Sequence, residues 1–213
     1  MTDPDKTLLG VVLAGGLSRR MGGGDKCMIP IAGKPMLQHA IDRLRPQVGE
    51  VVINANGDPG RFAPFEMTVV PDTVDGFAGP LAGVLAGLQW AKQNRPDVTH
   101  IVSAASDTPF FPSDLAKRFA DAAIGATPTI ALAESGGKVH PVFGLWPVAL
   151  AGDLDHWMKT SGTRKVLAFV DLFPSVRVSF DDSPTPGDLD PFFNANSPED
   201  LQSAEAALAE AAS

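Results

Sequence analysis

Residues 8–26 read LLGVVLAGGLSRRMGGGDK. The opening LLGVVL is a continuous apolar run closed by glycine, the pattern of a strand buried on both faces. The segment that follows, 13–26, holds five glycines, two arginines and one lysine. Open α/β sheets bind ligands outside the carboxyl ends of their strands, so this loop stands at a binding position. Glycine lets backbone N–H groups approach phosphate oxygens closely, and Arg20 and Lys26 add mobile positive charge. The loop is not a Walker A motif, because no Gly-Lys-Ser/Thr follows at the required spacing, and it does not fit G-x-G-x-x-G. Glycine content by itself is equally consistent with a flexible loop carrying solvated arginines.

Working outward, short β-rich runs recur at 50–55 (EVVINA), 67–70 (MTVV) and 99–104 (THIVSA). Between and after them lie helix-like stretches at 35–44, 80–93 and 113–123. Pro35, Pro80 and Pro112 fall near the starts of these stretches, where a missing N–H costs little. Such alternation predicts a parallel sheet with helices on both faces. The second half is less regular. The runs 129–134 and 139–145, joined through Ser135-Gly136-Gly137-Lys138, predict an antiparallel hairpin. Helices are expected at 149–159 and 164–169, a strand at 175–180 and a loop at 181–191 (DDSPTPGDLDP). Ser197-Pro198-Glu199-Asp200 opens a last helix, with Ser at the cap and acids in the first turn. The expected fold is one α/β domain, Rossmann-like and three-layered, with a mostly parallel sheet and an antiparallel addition in the second half.

The chain has 213 residues, 44% of them hydrophobic and 20% charged, enough to bury a sizeable core. Lys+Arg number 17 against 25 Asp+Glu, a formal net charge of −8. No basic stripe exists to neutralise a run of phosphates, which argues against a nucleic-acid partner. A small anion can still be held where a few cations and N–H groups converge. A single cysteine, Cys27, excludes an intramolecular disulfide and points to a reducing compartment. No basic n-region and no apolar run of about 18 residues is present, so a cytoplasmic chain away from membranes is expected.

Several polar residues sit where chemistry needs them. Asp107, in Ser106-Asp107-Thr108-Pro109, follows the 99–104 strand, where a carboxylate beside a phosphate loop can hold Mg²⁺. The same spacing serves a turn or cap aspartate before Pro109. Asp72 follows 67–70 and can bond a ribose or cap a turn after Pro71. Asn54 carries an amide suited to a purine edge, a ribose or a strand-to-loop turn. Asn194 and Asn196 alternate, so they face one side if that stretch is extended. Arg164 and Lys165 place two cations at a helix start, where the dipole already favours anions. They suit an acceptor phosphate or a solvated surface. His39, His100, His140 and His156 lack metal-ligand spacing and read as structural or exposed. Cys27 reads as a lone buried thiol, although Lys26 beside it would lower its pKa.

The full pattern of 13–26, Leu-Ala-Gly-Gly-x-Ser-x-Arg-Met-Gly followed by Asp-Lys, resembles the signature of nucleotidylyltransferases that move a nucleoside monophosphate from an NTP to an acceptor phosphate. Within that superfamily the chain resembles the molybdenum cofactor guanylyltransferases, which join GMP to the phosphate of molybdopterin. Four matches carry the resemblance: Leu13-Ala14-Gly15-Gly16, Asn54-Ala55-Asn56, Gly79-Pro80-Leu81-Ala82-Gly83 and Asn194-Ala195-Asn196-Ser197-Pro198-Glu199. Together they spread it over 10–201. His140-Pro141 also resembles a family His-Pro pair.

The resemblance implies a single domain over 1–213, with nucleotide bound by about 8–125 and acceptor by about 126–200. It implies GTP at Leu13, Ala14, Gly15, Gly16, Lys26, Asn54, Asp72 and Asp107, and catalysis by Arg20, Lys26 and Asp107. Mg²⁺ would sit on Asp107, in the family's Asp-x-Pro motif. Ser106 stands where many relatives have Cys. The acceptor side would use Arg164, Lys165, Asn194 and Asn196. Molybdopterin as acceptor, cofactor-delivering and molybdoenzyme-maturation proteins as partners, and a monomeric chain complete the expectation. Two other classes stay open: a cytidylyl- or sugar-phosphate-directed relative, and a GTP-binding adaptor without turnover.

Overall fold

The computed structural model describes residues 7–15, 25–74, 79–125, 127–187 and 189–211. The chain runs β1 (Leu8–Leu13), β2 (Pro30–Ile31), β3 (Lys34–Pro35), α1 (Met36–Leu44), β4 (Glu50–Asn54), β5 (Val69–Val70), α2 (Pro80–Asn94), β6 (His100–Ala105), α3 (Leu115–Ala123), β7 (Ile130–Ser135), β8 (Lys138–Pro147), α4 (Ala151–Thr160), α5 (Val166–Val170), β9 (Ser175–Ser179) and α6 (Pro198–Ala211). Among the described residues, seven strands form one sheet in the order β5-β4-β1-β6-β8-β7-β9. β5, β4, β1 and β6 are parallel. β8 alone runs against its neighbours, β6 and β7, while β9 returns parallel to β7. This is the mostly parallel sheet that the alternation of elements predicts, with the antiparallel addition expected from the runs 129–134 and 139–145.

Side chains of β1 alternate between two apolar layers. Leu8 and Val12 enter a core with Leu37 and Ile41 of α1 and Leu115 and Phe119 of α3. Leu9 and Val11 enter the opposite core with Leu85 and Leu88 of α2, Leu154 of α4 and Phe169 of α5. Hence the run LLGVVL has no polar alternation: neither face meets water.

Several elements depart from the sequence expectation. Helix α1 starts at Met36, because Pro35 pairs with Pro30 in a small hairpin. Its turn, Ala32-Gly33, has positive φ at both residues (50° and 75°), the geometry of a tight hairpin. The expected strand 67–70 contracts to Val69–Val70, and 59–65 forms a 3₁₀ helix between two expected elements. β8 extends through Pro147 and carries a bulge: Leu132 pairs with Gly144 but Ala133 with His140. Residues 141–143 thus have no partners on β7, a place where Pro141 loses no ladder bond. The capping of α6 follows the expected pattern, since Ser197 Oγ accepts from Asp200 N–H (3.2 Å) and Asp200 Oδ2 accepts from Ser197 N–H (2.9 Å).

Helix α2 lies close on the sheet because two of its glycines face it. A Cβ at Gly87 would stand 2.7 Å from Val11 Cγ2 and 3.2 Å from Ile101 Cδ1. At Gly83 it would stand 2.2 Å from Asn54 Oδ1. Gly87→Ala therefore sets helix propensity against packing. The propensity gain is below about 1 kcal/mol, and overpacking a tight core costs about 1–3 kcal/mol. We expect a net loss of stability with unchanged secondary structure, read by chemical denaturation. A variant at least as stable as the parent would show that α2 is free to move away from β1.

Candidate active site

The carboxyl ends of β1, β4 and β6 open into a cleft of about 470 Å³. Backbone bonds hold these ends in line: Ala14 N–H donates to Asn54 O (2.8 Å) and Ser106 N–H to Leu13 O (3.2 Å). Leu13, Gly15, Ala105, Ser106 and Asp107 form part of the lining, with Val142 presented by the β8 bulge. Gly79 and Pro80 bring the start of α2, a helix of 15 residues, to the same cleft. The positive end of its dipole favours an anion there, although Pro80 has no N–H and Ala82 N–H is bonded to the Gly79 carbonyl (3.2 Å).

At one end three segments meet on one ammonium. Lys26 Nζ donates to Asp107 Oδ2 (2.6 Å), to Asn194 Oδ1 (3.1 Å) and to Asn196 Oδ1. The chain near the two asparagines is laid against Asp107 by Ala195 N–H, which donates to the Asp107 carbonyl (3.0 Å). Ala195 itself is fully buried, so its neighbours point outward on one side, as their alternate spacing predicts. The other end is a neutral-amide and carboxylate network. Asp72 accepts from Asn54 Nδ2 (2.9 Å) and from Asn56 Nδ2 (2.7 Å), and its N–H donates to Asn56 Oδ1 (2.9 Å). Asn54 Nδ2 also donates to the Val70 carbonyl (3.0 Å), so both its amide hydrogens are committed within the protein.

Of the residues singled out from sequence, Leu13, Gly15, Lys26, Asn54, Asp72, Asp107 and Asn194 line this cleft, and Asn196 joins through Lys26. Ala14 is buried with its N–H bonded to Asn54, so it supports the cleft from below. Gly16 and Arg20 lie outside the described residues. Arg164 and Lys165 are exposed at the start of α5 and are not part of the cleft lining. Cys27 is buried; burial first, then the Asp25 carboxylate, push its thiol up to about 11, which keeps it protonated despite adjacent Lys26.

Other residues carry no sequence signal. Arg61, in the 3₁₀ helix, donates to Asp25 Oδ1 (2.8 Å) and to the Asn56 carbonyl, tying the foot of the glycine-rich loop to the Asp72 network. Nothing in the spacing of 59–65 announces it. Similarly, Asp190 anchors the approach to Asn194: its Oδ1 accepts from Phe192 N–H (2.7 Å) and its Oδ2 from the Ser135 hydroxyl (2.8 Å). His140 Nε2 sits 2.7 Å from Ser135 Oγ and its ring stacks on Phe192 at 4.5 Å. Because the Ser135 hydrogen goes to Asp190, His140 Nε2 is the donor in that pair.

Comparison with known proteins gives concordant results. The model of the MobA-like NTP transferase domain matches residues 10–176. A molybdenum cofactor guanylyltransferase of Bradyrhizobium sp. (strain ORS 278) is 52% identical over 196 residues, covering 92% of this chain and 91% of that one. One of Rhodopseudomonas palustris (strain BisB5) is 50% identical over 195 residues, covering 92% and 91%. Among solved structures, molybdopterin-guanine dinucleotide biosynthesis protein A from Archaeoglobus fulgidus superposes with a TM-score of 0.73 at 22% identity, covering 95% and 99%. That likeness supports the fold.

The His140 cluster makes stability depend on pH. Burial lowers the imidazole pKa from its ordinary 6.5, against the opposing pull of Asp190. Below that value the unfolded chain takes up a proton that the folded chain resists, so stability falls as pH falls. His100, lowered by burial, acts in the same direction. Melting temperature should decline from about pH 7.5 to about 5.5, and His140→Gln should flatten part of that decline. An unchanged slope in the variant would assign the whole effect elsewhere.

Proposed function

The chain belongs to the MobA-like NTP transferase family, and on that footing we propose that it transfers GMP from GTP to the phosphate of molybdopterin, releasing pyrophosphate and forming molybdopterin guanine dinucleotide. The observation that carries this reading is the cleft itself. A cation set among oxygens and a polar amide–carboxylate network stand at its two ends, as a triphosphate and a nucleoside require.

An oxygen of a phosphate monoester is already a nucleophile, so in-line attack on the α-phosphorus needs no side-chain base. The protein's task is to bring two anions together and stabilise the charge that spreads in the transition state. Backbone N–H groups at Gly15 and Gly16, with Arg20, Lys26 and the start of α2, would hold the triphosphate. Asn54, its amide hydrogens committed to Val70 and Asp72, and Asn56 would fix Asp72 for the ribose, and backbone atoms near 13–15 would read guanine. Asn194 and Asn196 would serve the acceptor side; Arg164 and Lys165, outside the cleft lining and just before α5, would act on the acceptor only as nearby charge. The oxygens of Asp107, Asn194 and Asn196 already surround a cation, the Lys26 ammonium, so this donor set fits Mg²⁺. Bound there, the ion would supply neutralisation of phosphate charge. A monomeric chain in the cytoplasm, receiving molybdopterin from cofactor-delivering proteins and serving molybdoenzyme maturation, belongs to the same proposal. Among the described residues no helix is long and apolar enough to cross a membrane.

Pyrophosphate release measured with each of the four NTPs and molybdopterin tests the assignment. GTP should lead, because a wrong base leaves buried polar groups unpaired at about 1–3 kcal/mol each. Equal turnover of CTP would point to cytidylyl transfer, and release with none of the four would leave a binding protein without turnover. Asp107→Asn isolates the carboxylate. It should keep its fold, with some loss of stability from the uncompensated Lys26 ammonium, while turnover falls about 10²–10³-fold, more than GTP affinity does. A variant that melts earlier yet keeps its turnover would make Asp107 a turn residue.

A further inference from the structure

The ammonium of Lys26 has three hydrogens and three oxygen partners: Asp107 Oδ2 at 2.6 Å, Asn194 Oδ1 at 3.1 Å and Asn196 Oδ1. One carboxylate and two amide oxygens are the hard donors that Mg²⁺ and Mn²⁺ select. The side chains of Lys26 and Asp107 are only 12% and 23% exposed, so water competes weakly for this pair. Ala195 N–H, bonded to the Asp107 carbonyl, keeps the oxygens from the two chain segments together by a contact independent of the ammonium. Building on the transfer reading above, we propose that Lys26 is a tethered stand-in for the divalent ion. It keeps these oxygens closed to free metal until a triphosphate draws it off, so that the metal enters with the nucleotide and not ahead of it.

The physical argument is one of exclusion. A divalent ion bonds such oxygens at about 2.0–2.1 Å, and a second cation held at hydrogen-bonding distance from the same groups repels it. Lys26 competes at the high effective concentration of a tethered group, whatever the metal concentration outside. Its Nζ leaves at low cost only if other anionic oxygens are within reach, and Lys26 lines the same cleft as Gly15 and the start of α2. Phosphates bound there release the oxygens to metal, and metal in turn frees Lys26 for the phosphates. Each ligand then raises the affinity of the other by the same factor. This order would spare the enzyme from holding a metal ion without its substrate.

The test is Mn²⁺ binding followed by electron paramagnetic resonance, with no nucleotide present. Lys26→Met should bind Mn²⁺ more tightly than the wild type, by about 5- to 150-fold if the coupling has the usual size. The gain should vanish in Lys26→Met/Asp107→Asn. With inorganic triphosphate added to both proteins, the gap between wild type and Lys26→Met should narrow, because Nζ then has phosphate oxygens to go to. Lys26→Gln, which keeps hydrogen-bond donors without the charge, carries the same comparison if the methionine variant does not fold. An affinity in the variants no higher than in the wild type, a gain that survives Asp107→Asn, or a gap as wide with triphosphate as without it would each overturn the proposal. These measurements contain no guanine and read no turnover, so they fail separately from the guanylyl-transfer reading.

Discussion

Strand β1 is buried on both faces and hydrogen-bonded along both edges, to β4 on one side and β6 on the other. A strand so enclosed must be apolar throughout, and it needs helices above and below it. Its carboxyl end is the place where the chain can turn polar without burying an unpaired group. The cleft follows from this. The exits of β4 and β6 are registered to that of β1, so Asn54 and Asp107 emerge near Leu13 at the strand's carboxyl end. Close packing sharpens the effect: α2 approaches through Gly83 and Gly87, and Gly83 abuts the Asn54 carboxamide directly. The layer that stabilises the sheet also fixes a polar side chain of the site.

The chain carries a net charge of −8, and the described cleft lining sets two carboxylates, Asp72 and Asp107, against one lysine, Lys26. What the cleft offers a ligand depends on local arrangement, because potential in a cleft is set by the nearest charges and dipoles. Lys26 and the start of α2 face the cleft, while acidic groups such as Asp42, Asp121 and Asp155 pair with lysines on the surface. Asp107 is the acid at the Lys26 end of the cleft, and its charge is matched by that ammonium. Removing one member of a largely buried, hydrogen-bonded pair leaves the other uncompensated, which couples these two residues tightly.

Delivery of Asn194 and Asn196 to a lysine 168 and 170 residues earlier depends on a pinned C-terminal segment. Asp190 fastens its start to Ser135, Ala195 fastens its middle to Asp107, and the Ser197–Asp200 cap fastens its end to α6. Between them Phe192 packs against Phe143, Phe180 and His140. The antiparallel hairpin of β7 and β8 therefore has a second use beyond extending the sheet: it is the wall to which this segment is tied.

Most elements were legible in the primary structure because their causes are local. An unbroken apolar run, prolines at helix starts, Ser-Gly-Gly-Lys between two β-rich runs and a Ser-Pro-Glu-Asp cap each act over a few residues. The glycine-rich loop and the acids following strands marked the site for the same reason, and resemblance to a known family supplied the substrates. Other features arose only when distant segments met. Pro35 joins a hairpin because Pro30 lies opposite, and 59–65 coils so that Arg61 can bridge Asp25 and Asn56. Asn54, legible as a polar group at a strand end, has its hydrogens consumed by Val70 and Asp72, partners 16 and 18 residues away. The gathering of three oxygens around one ammonium is likewise invisible in spacing. Hydrogen-bond geometry is satisfied across space, and a one-dimensional pattern records which groups are available but not which of them the fold has already used.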